Sequence, residues 1–117
     1  MSTTEFAARV RPESGEAVVE LSGQISAGAE AGLQQAYAEV KGEPKVLLDF
    51  SDVDYINSTG IALIVRLLAE ARRDHRAVIA EGLSDHYREI FRITRLSDYL
   101  TIADPAPAAS VPEEAPR

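Results

Sequence analysis

Short apolar runs alternate with helix-spaced apolar residues along most of the chain. Residues 6–11 and 17–21 predict two strands, and the Pro-Glu-Ser-Gly sequence at 12–15 predicts the turn that pairs them as an antiparallel hairpin. Gly23 is expected to close the second strand. The pattern therefore begins with a β-hairpin.

A first helix is expected after this hairpin. Ser26 is placed to cap its N-terminus, and Gly42 and Pro44 follow in the order that is typical of a helix end. The apolar residues between these signals fall on one face at helical spacing. They are Ala29, Leu33, Ala36, Tyr37 and Val40.

The middle of the chain predicts a buried strand and then the strongest helix candidate. Residues 46–48 form a short apolar run that ends in Asp49-Phe50, as expected of a buried strand, and residues 51–56 are expected to form a loop. In the helix predicted over residues 61–73, Leu63 and Leu67 lie beside the main apolar stripe. They either widen the core face or form an exposed apolar patch that would suit a partner. The main stripe consists of Ile61, Ile64, Val65 and Leu68.

The remaining elements complete an α/β pattern. Residues 77–80 predict a buried strand, Ser84 is placed to cap a third helix, and residues 99–102 are compatible with a last strand. The third helix carries one side formed by Tyr87, Ile90, Phe91 and Thr94. We therefore predict one α/β domain over residues 1–104, with a mixed β-sheet of four to five strands and three to four helices packed against it.

The composition changes abruptly after Asp104. Residues 105–117 contain four prolines and almost no large apolar residues. Such a segment cannot bury enough apolar surface to offset the entropy of ordering it. The sequence therefore predicts a disordered Pro/Ala-rich C-terminal tail after the domain.

The charge balance and the missing residue types limit the classes of function. Lys and Arg number 12 against 19 Asp and Glu, which gives a net charge of −7, and no basic stripe is present, so we expect no nucleic-acid binding. Cysteine is absent, which excludes disulfides, thiolate metal sites and cysteine nucleophiles. The N-terminus lacks the basic start and apolar run of a signal peptide, and no apolar run reaches the roughly 20 residues that cross a bilayer. We therefore expect a cytoplasmic protein without direct membrane insertion.

The polar sequence Asn57-Ser58-Thr59-Gly60 opens the strongest helix. Its first three side chains can each accept hydrogen bonds from the free N–H groups of a first helical turn. Gly60 would let another backbone or a bulky partner approach closely. From these residues alone, helix capping is the simplest interpretation.

Two enzymatic or metal-binding interpretations are weaker. A serine hydrolase elbow needs Gly-x-Ser-x-Gly, but Ile56 stands where the first glycine belongs, and the two histidines, His75 and His86, are the sole candidate bases. The acidic residues Asp49, Asp52 and Asp54 lack the glycine and distal glutamate of a calcium loop. We expect neither a catalytic residue, nor a resident metal, nor a cofactor.

Three segments in the right order resemble the STAS domain family, of the anti-sigma factor antagonist type. Its buried strand, acidic loop and Asp-Ser-(Ser/Thr)-Gly helix start are similar to residues 46–63, VLLDFSDVDYINSTGIAL. Its turn before the first helix is similar to residues 21–26, LSGQIS, and its third helix to residues 89–96, EIFRITRL. The resemblance spans residues 5–103, nearly all of the expected domain.

The resemblance implies a partner switch rather than an enzyme. Ser58 would be phosphorylated by a serine kinase that is also an anti-sigma factor, with Thr59 as the back-up acceptor. The unmodified protein would bind that kinase, the phosphorylated protein would release it, and a PP2C-type phosphatase would reverse the modification. A monomer or weak dimer is expected. The implied partner surface consists of Gln24, Ser26, Asn57, Ser58, Thr59, Gly60, Leu63 and Leu67.

Departures from the family pattern affect the partner more than the fold. Asn57 stands where antagonists usually carry Asp, and Gln24 and Ser26 replace two acidic residues. Arg95 occupies a turn position where Gly is common, so a left-handed backbone there would be costly. The alternative function is a STAS docking subunit of a lipid transporter or other signalling assembly, in which Ser58 is never phosphorylated.

Overall fold

The computed structural model describes residues 5–13, 16–40 and 42–103. The segment predicted as a tail, residues 105–117, lies outside the described residues. The strands are β1 (Ala7–Glu13), β2 (Glu16–Ile25), β3 (Lys45–Ile56), β4 (Ala77–Glu81) and β5 (Thr101–Ile102). The α-helices are α1 (Glu30–Glu39), α2 (Ser58–Arg73) and α3 (Asp85–Ile93), with short 3-10 turns at Ala27–Ala29 and Leu96–Asp98.

The five described strands form one mixed sheet in the order β1-β2-β3-β4-β5. β1 pairs antiparallel with β2, and every later neighbour is parallel. Parallel neighbours need crossover connections, which α1, α2 and α3 supply in turn. Right-handed crossovers that advance in one direction place all three helices on the same face. The predicted fold class, a mixed sheet packed by helices, is confirmed.

The core lies between this sheet face and the helices. Alternate residues of the central strands point into it, among them Val19, Val46, Leu48 and Val78, as expected for a period of two. The ring of Phe91 on α3 is fully buried and meets Phe50 edge to face at 5.9 Å. All five apolar positions predicted for the first helix are buried. That part of the pattern is confirmed.

Strand β2 does not end at Gly23, contrary to the sequence prediction. It continues to Ile25, with Gly23 at φ +83° inside it. A β-carbon at this residue would overlap the backbone of Glu5, so glycine serves a close approach of two chain segments rather than a strand end. The first strand likewise extends through Pro12 to Glu13, which were expected in the turn.

Strand β3 is also longer than expected, because residues 51–56 are strand and not loop. It pairs with β4 only over Lys45 to Asp49 but with β2 as far as Ile56. Residues 50–56, the β3 overhang, therefore extend past β4. The register with β2 shifts twice along this stretch, which marks two β-bulges.

Helix α2 buries a different stripe from the one predicted. Leu63 and Leu67 are 8% and 7% exposed, because α1 packs on that side and places Leu33 beside them. The prediction that Leu63 and Leu67 widen the core face is confirmed, and the alternative prediction of an exposed apolar patch is wrong. Val65, expected in the core, is 44% exposed. The buried residues of α2 are Gly60, Leu63, Ile64, Leu67, Leu68 and Ala71.

The helix caps follow the sequence at two of three places. Ser84 Oγ accepts a hydrogen bond from the Tyr87 N–H at 3.2 Å, as predicted. Ser26 precedes a 3-10 turn, and its side chain makes no capping bond, so its predicted capping role is wrong. The third predicted cap is Asn57, at the start of α2.

Arg95 adopts the left-handed backbone that was expected to be costly there, with φ +68°. Its guanidinium pairs with Asp98 at 3.0 Å.

A polar cluster joins α1 to the turn after α2. The Tyr37 hydroxyl donates a hydrogen bond to Asp74 Oδ2 at 2.8 Å, and the Arg76 guanidinium lies 4.8 Å from the centre of the Tyr37 ring. Burial, and then the hydrogen bond to Asp74, raise the pKa of Tyr37 to about 12. The folded state therefore favours the neutral phenol.

Candidate functional site

The start of α2 is tied to the end of β2 through Asn57. Its backbone N–H donates to the Ile25 carbonyl at 3.2 Å, and its side-chain Oδ1 accepts from the Gly60 N–H at 2.8 Å. The extended backbone of Asn57 and this side-chain bond are those of a helix N-cap. The predicted capping role of Asn57 is confirmed.

Gly60 packs against the chain itself. A β-carbon here would overlap the carbonyl oxygen of Ile25, and the residue is buried. The close approach predicted for Gly60 exists, and the neighbouring backbone is the end of β2. Glycine is therefore needed to seat the first turn of α2 on the end of β2.

Tyr87 of α3 holds the other side of the same junction. Its hydroxyl oxygen accepts a hydrogen bond from the Ile56 N–H at 2.9 Å and lies 3.5 Å from the Ile56 carbonyl oxygen. Ile56 is the last residue of β3, directly before Asn57. Sequence reasoning placed Tyr87 on the apolar side of its helix, and missed that its hydroxyl positions the site. A tyrosine on a mostly buried helix face was the available signal, because a buried hydroxyl usually finds a partner.

The β3 overhang is also supported from the loop after β4. Gly82, at φ +78°, lies so close to Ser51 that a β-carbon would overlap the serine side chain. Ser51 in turn donates from its N–H and its hydroxyl to Asp49 Oδ1, at 2.9 and 2.6 Å. The Asp49 carboxylate thus accepts hydrogen bonds from its own strand, two residues further on. Among the described residues, no group of three or more metal-binding side chains is found.

Ser58 and Thr59 are exposed at the first two positions of α2. The first intrahelical hydrogen bond runs from the Ile61 N–H to the Asn57 carbonyl at 2.9 Å, and the Gly60 N–H is used by the cap. The N–H groups of Ser58 and Thr59 therefore precede the helical ladder. Of the three predicted capping side chains, Asn57 alone fills that role within the described part of the chain.

The β3 overhang, which leads to this helix start, carries two exposed carboxylates and one exposed aromatic ring. Asp52 and Asp54 are exposed on the β3 overhang, and Tyr55 is 52% exposed. The register places Gln24 opposite Tyr55, and Gln24 is itself exposed. Ser26, which follows the last residue of β2, is half-buried.

The structure therefore brings most of the predicted site residues to one end of the sheet. Gln24, Ser26 and residues 57–60 all lie where β2 and β3 end and α2 begins. Leu63 and Leu67 do not belong with them, because both are buried against α1.

The two histidines lie in other surroundings. His75 is exposed in the turn after α2 with φ +61°, and the ring of His86 on α3 contacts the ring of Tyr87 at 4.9 Å. Neither histidine is hydrogen-bonded to Ser58 within the ranges that the structure covers. This geometry gives no support to a Ser–His pair of the kind a serine hydrolase needs. No helix among the described residues is both long and apolar enough to cross a membrane.

Comparison with known proteins identifies relatives over most of the chain. BtrV of Bordetella bronchiseptica, by its name a candidate anti-sigma factor antagonist, is 31% identical over 86 residues, covering 73% of this chain and 74% of that protein. The anti-sigma-B factor antagonist of Listeria monocytogenes is 30% identical over 84 residues, covering 70% and 74%.

Solved structures share the fold at lower identity. An anti-sigma factor antagonist from Mycobacterium paratuberculosis superposes with a TM-score of 0.68 at 22% identity, over 89% of each chain. The phosphorylated form of the Bacillus cell fate determinant SpoIIAA gives 0.60 at 16% identity, over 85% of this chain and 93% of that one. The family described as Mlab, STAS domain, matches residues 8–102. The chain belongs to this STAS domain family.

Proposed function

We propose that this chain is an anti-sigma factor antagonist that acts as a phosphorylation-controlled partner switch. The unmodified chain binds an anti-sigma factor that is also a serine kinase, through the end of the sheet where α2 begins, which we call the Ser58 end. The phosphorylated chain releases that partner. The kinase transfers the γ-phosphoryl group of ATP to Ser58 Oγ, which loses its proton, and ADP leaves. A PP2C-type phosphatase hydrolyses the phosphoserine and restores binding. The observation that carries the proposal is the exposed Ser58 at the first position of α2.

The fold can accept a phosphate at this position without damage. The free N–H groups of the first helical turn and the positive end of the helix dipole stabilise an anion there, by about 0.3–1 kcal/mol at a surface. Ser58 makes no side-chain hydrogen bond among the described residues, so modification breaks no capping contact. Phosphorylation should therefore leave the domain folded.

The same phosphate can break a protein interface. It adds about −1.5 to −2 charges at one point. Asp52 and Asp54 are exposed on the β3 overhang, towards the same end of the sheet. A partner surface fitted to the neutral hydroxyl would have to bury this unpaired charge. Every increment of about 1.4 kcal/mol in repulsion or desolvation cost weakens binding tenfold.

The test is direct phosphorylation by a candidate kinase with ATP, followed by phosphopeptide mapping. We expect one phosphate, on Ser58, that Ser58→Ala abolishes and Thr59→Ala retains. In titrations against the same kinase, Ser58→Ala should bind nearly as well as the natural chain, whereas Ser58→Asp should bind at least about tenfold more weakly. Circular dichroism should be the same for all variants. A phosphate on Thr59 or on Ser110 would refute the site assignment.

A STAS docking subunit of a lipid transporter or other signalling assembly is the second candidate. The matching family is described by its STAS domain and not by sigma-factor regulation, which is compatible with this candidate. In that case Ser58 would lie in or near a docking surface without being modified. Equal, undiminished binding of the kinase by Ser58→Ala and Ser58→Asp, together with no labelling, would favour this candidate over the switch.

A further inference from the structure

A groove lies beside the C-terminal half of α2, away from Ser58. It has a volume of about 550 Å³ and runs between α2 and the turn that precedes β5. We call it the α2 groove. It is lined by Val65, Leu68, Ala69, Arg72, Arg73, His75, Leu96 and Tyr99.

The α2 groove has an apolar lining that the fold leaves open. Among the described residues, the large hydrophobic side chains that remain exposed are Tyr55, Val65, Ile93 and Tyr99. Two of these, Val65 at 44% and Tyr99 at 50%, line this groove, above the buried Leu68 and Leu96. Exposed apolar side chains gathered in one concave place are typical of an interaction site.

The rim of the α2 groove is cationic in an acidic protein. The chain carries a net charge of −7, yet no carboxylate belongs to the groove's lining. Several arginines elsewhere pair with carboxylates, such as Arg66 with Glu30 at 3.0 Å. Within the described residues Arg72 and Arg73 have no such ion pair, and the Arg72 guanidinium lies over the Tyr99 ring, 5.1 Å from its centre.

The helix dipole explains part of this arrangement. Basic residues in the last turn of a helix stabilise it, and Arg72 and Arg73 hold those positions. That effect does not require Val65 and Tyr99 to be exposed beside them. The combination of open apolar surface and unneutralised positive charge instead fits an occupant with apolar side chains and carboxylates.

The α2 groove is well separated from the proposed switch. Arg72 lies fourteen residues after Ser58 on a continuous helix, which corresponds to about 21 Å along the axis. This exceeds the distance of about 8–10 Å over which surface charges interact in ordinary salt. A phosphate on Ser58 would therefore have little effect on binding at the groove.

We propose that the α2 groove docks an acidic, apolar segment of a protein partner. The apolar side chains of that segment cover Val65 and Tyr99, and its carboxylates pair with Arg72 and Arg73. Because the groove lies apart from Ser58, this partner stays bound whether or not the Ser58 end is engaged or modified. The chain would then be anchored at one end of α2 while the other end changes partners.

The test uses a random peptide library displayed on phage, selected on the immobilised full-length chain. We expect enriched peptides to combine Asp or Glu with bulky apolar residues. Measured by fluorescence anisotropy, the best synthetic peptide should bind Arg72→Glu/Arg73→Glu at least about tenfold more weakly. The matched control, Arg9→Glu/Arg92→Glu, makes the same change of net charge at two exposed residues elsewhere and should bind as the natural chain does.

Further variants keep the proposal testable and separate it from the Ser58 switch. Should the charge-reversed variant melt early, Arg72→Gln/Arg73→Gln and Val65→Glu should each still weaken the peptide. Ser58→Asp should leave peptide affinity unchanged, whatever its effect on a kinase. Peptides without acidic residues, equal loss in both charge-reversed variants, or loss in Ser58→Asp would overturn the proposal.

Two other occupants would also overturn it. Tighter peptide binding by Glu113→Gln/Glu114→Gln would show that the chain's own acidic C-terminal segment competes for the groove. Concentration-dependent dimerisation in sedimentation, lost in Arg72→Glu/Arg73→Glu, would identify a second copy as the occupant.

Discussion

At the scale of single residues, the start of α2 depends on the missing side chain of Gly60. Alanine is the better helix former by about 1 kcal/mol, but its β-carbon would overlap the Ile25 carbonyl oxygen. Since backbone atoms cannot yield as a flexible side chain does, we expect Gly60→Ala to lower the free energy of unfolding by at least about 2 kcal/mol.

Denaturant unfolding measures this change, and Gly28 supplies a matched control. Gly28 lies in the 3-10 turn before α1, and a β-carbon there would meet nothing within 4 Å. Gly28→Ala should therefore change stability by no more than about 0.5 kcal/mol. Equal stabilities of the two variants would contradict the packing of α2 on β2.

Tyr37 gives the fold an alkaline limit. Its pKa is about 12 in the folded protein against 10.0 for the free group, because it is buried and donates to Asp74. The stability that comes from the neutral phenol is therefore complete below pH 10 and is lost as pH rises from 10 through 12. Tyrosinate absorbance should show a late-titrating phenol that Tyr37→Phe removes. Over this pH range, the free energy of unfolding should fall less for Tyr37→Phe than for the natural chain.

Helix caps could be predicted from single residues, whereas contacts between elements could not. Asn57 and Ser84 each stand directly before an amphipathic run, and a local pattern is enough to identify an N-cap. The need for glycine at residue 60 comes from Ile25, thirty-five residues earlier, and depends on how α2 seats on β2. Ser26 shows that a local pattern can also mislead. It was expected to cap a helix, but a 3-10 turn lies where the first helical turn was expected.

At the scale of elements, the Tyr87 hydroxyl of α3 holds the last residue of β3 close to the site. Tyr87→Phe keeps the ring but leaves the Ile56 N–H without its acceptor at 2.9 Å. An unsatisfied donor at a partly buried position costs about 1–3 kcal/mol, so we expect the free energy of unfolding to fall by that order. Amide hydrogen exchange should speed up at Ile56 more than in β4. Unchanged exchange at Ile56 would show that α3 does not hold the end of β3.

The length of β3 could not be read from its sequence. A half-buried strand is recognised by alternation, and the two bulges in β3 each insert an extra residue that breaks it. The polar residues Ser51, Asp52 and Asp54 therefore predicted a loop, although they lie within β3, where Asp52 pairs with Ser22 and the other two lie at the register shifts. Likewise, Val65 and Leu67 could be assigned to the core or the surface only with the position of α1 known.

At the scale of the whole molecule, the described core is built from residues that precede the segment after β5. The buried cluster extends from Ala17 to Leu100, and residues 105–117 contain only one large aliphatic residue, Val111. A chain that ends at Asp104 should therefore melt at the same temperature as the full chain, as measured by circular dichroism. A drop of several degrees would show that the C-terminal segment docks on the domain.

The order of elements was enough to predict the fold class but not the molecule's two ends. Strands alternating with helices indicate a sheet with crossover connections, whichever boundaries are chosen. The exposed Ser58 and the cationic groove near Arg72 lie towards opposite ends of one helix. Such an arrangement depends on which side chains the packed helices leave exposed.

The β3 overhang has a consequence for how relatives of this chain diverge. Asp52, Asp54 and Tyr55 are exposed beyond the end of β4, where substitution costs little stability. Paralogues in one cell can therefore vary these residues while the inward-facing Phe50 and Ile56 stay apolar. Under the proposed function, mutations that alter recognition at this exposed end are largely separate from mutations that unfold the domain. Duplicated copies can then diverge in partner after only a few substitutions.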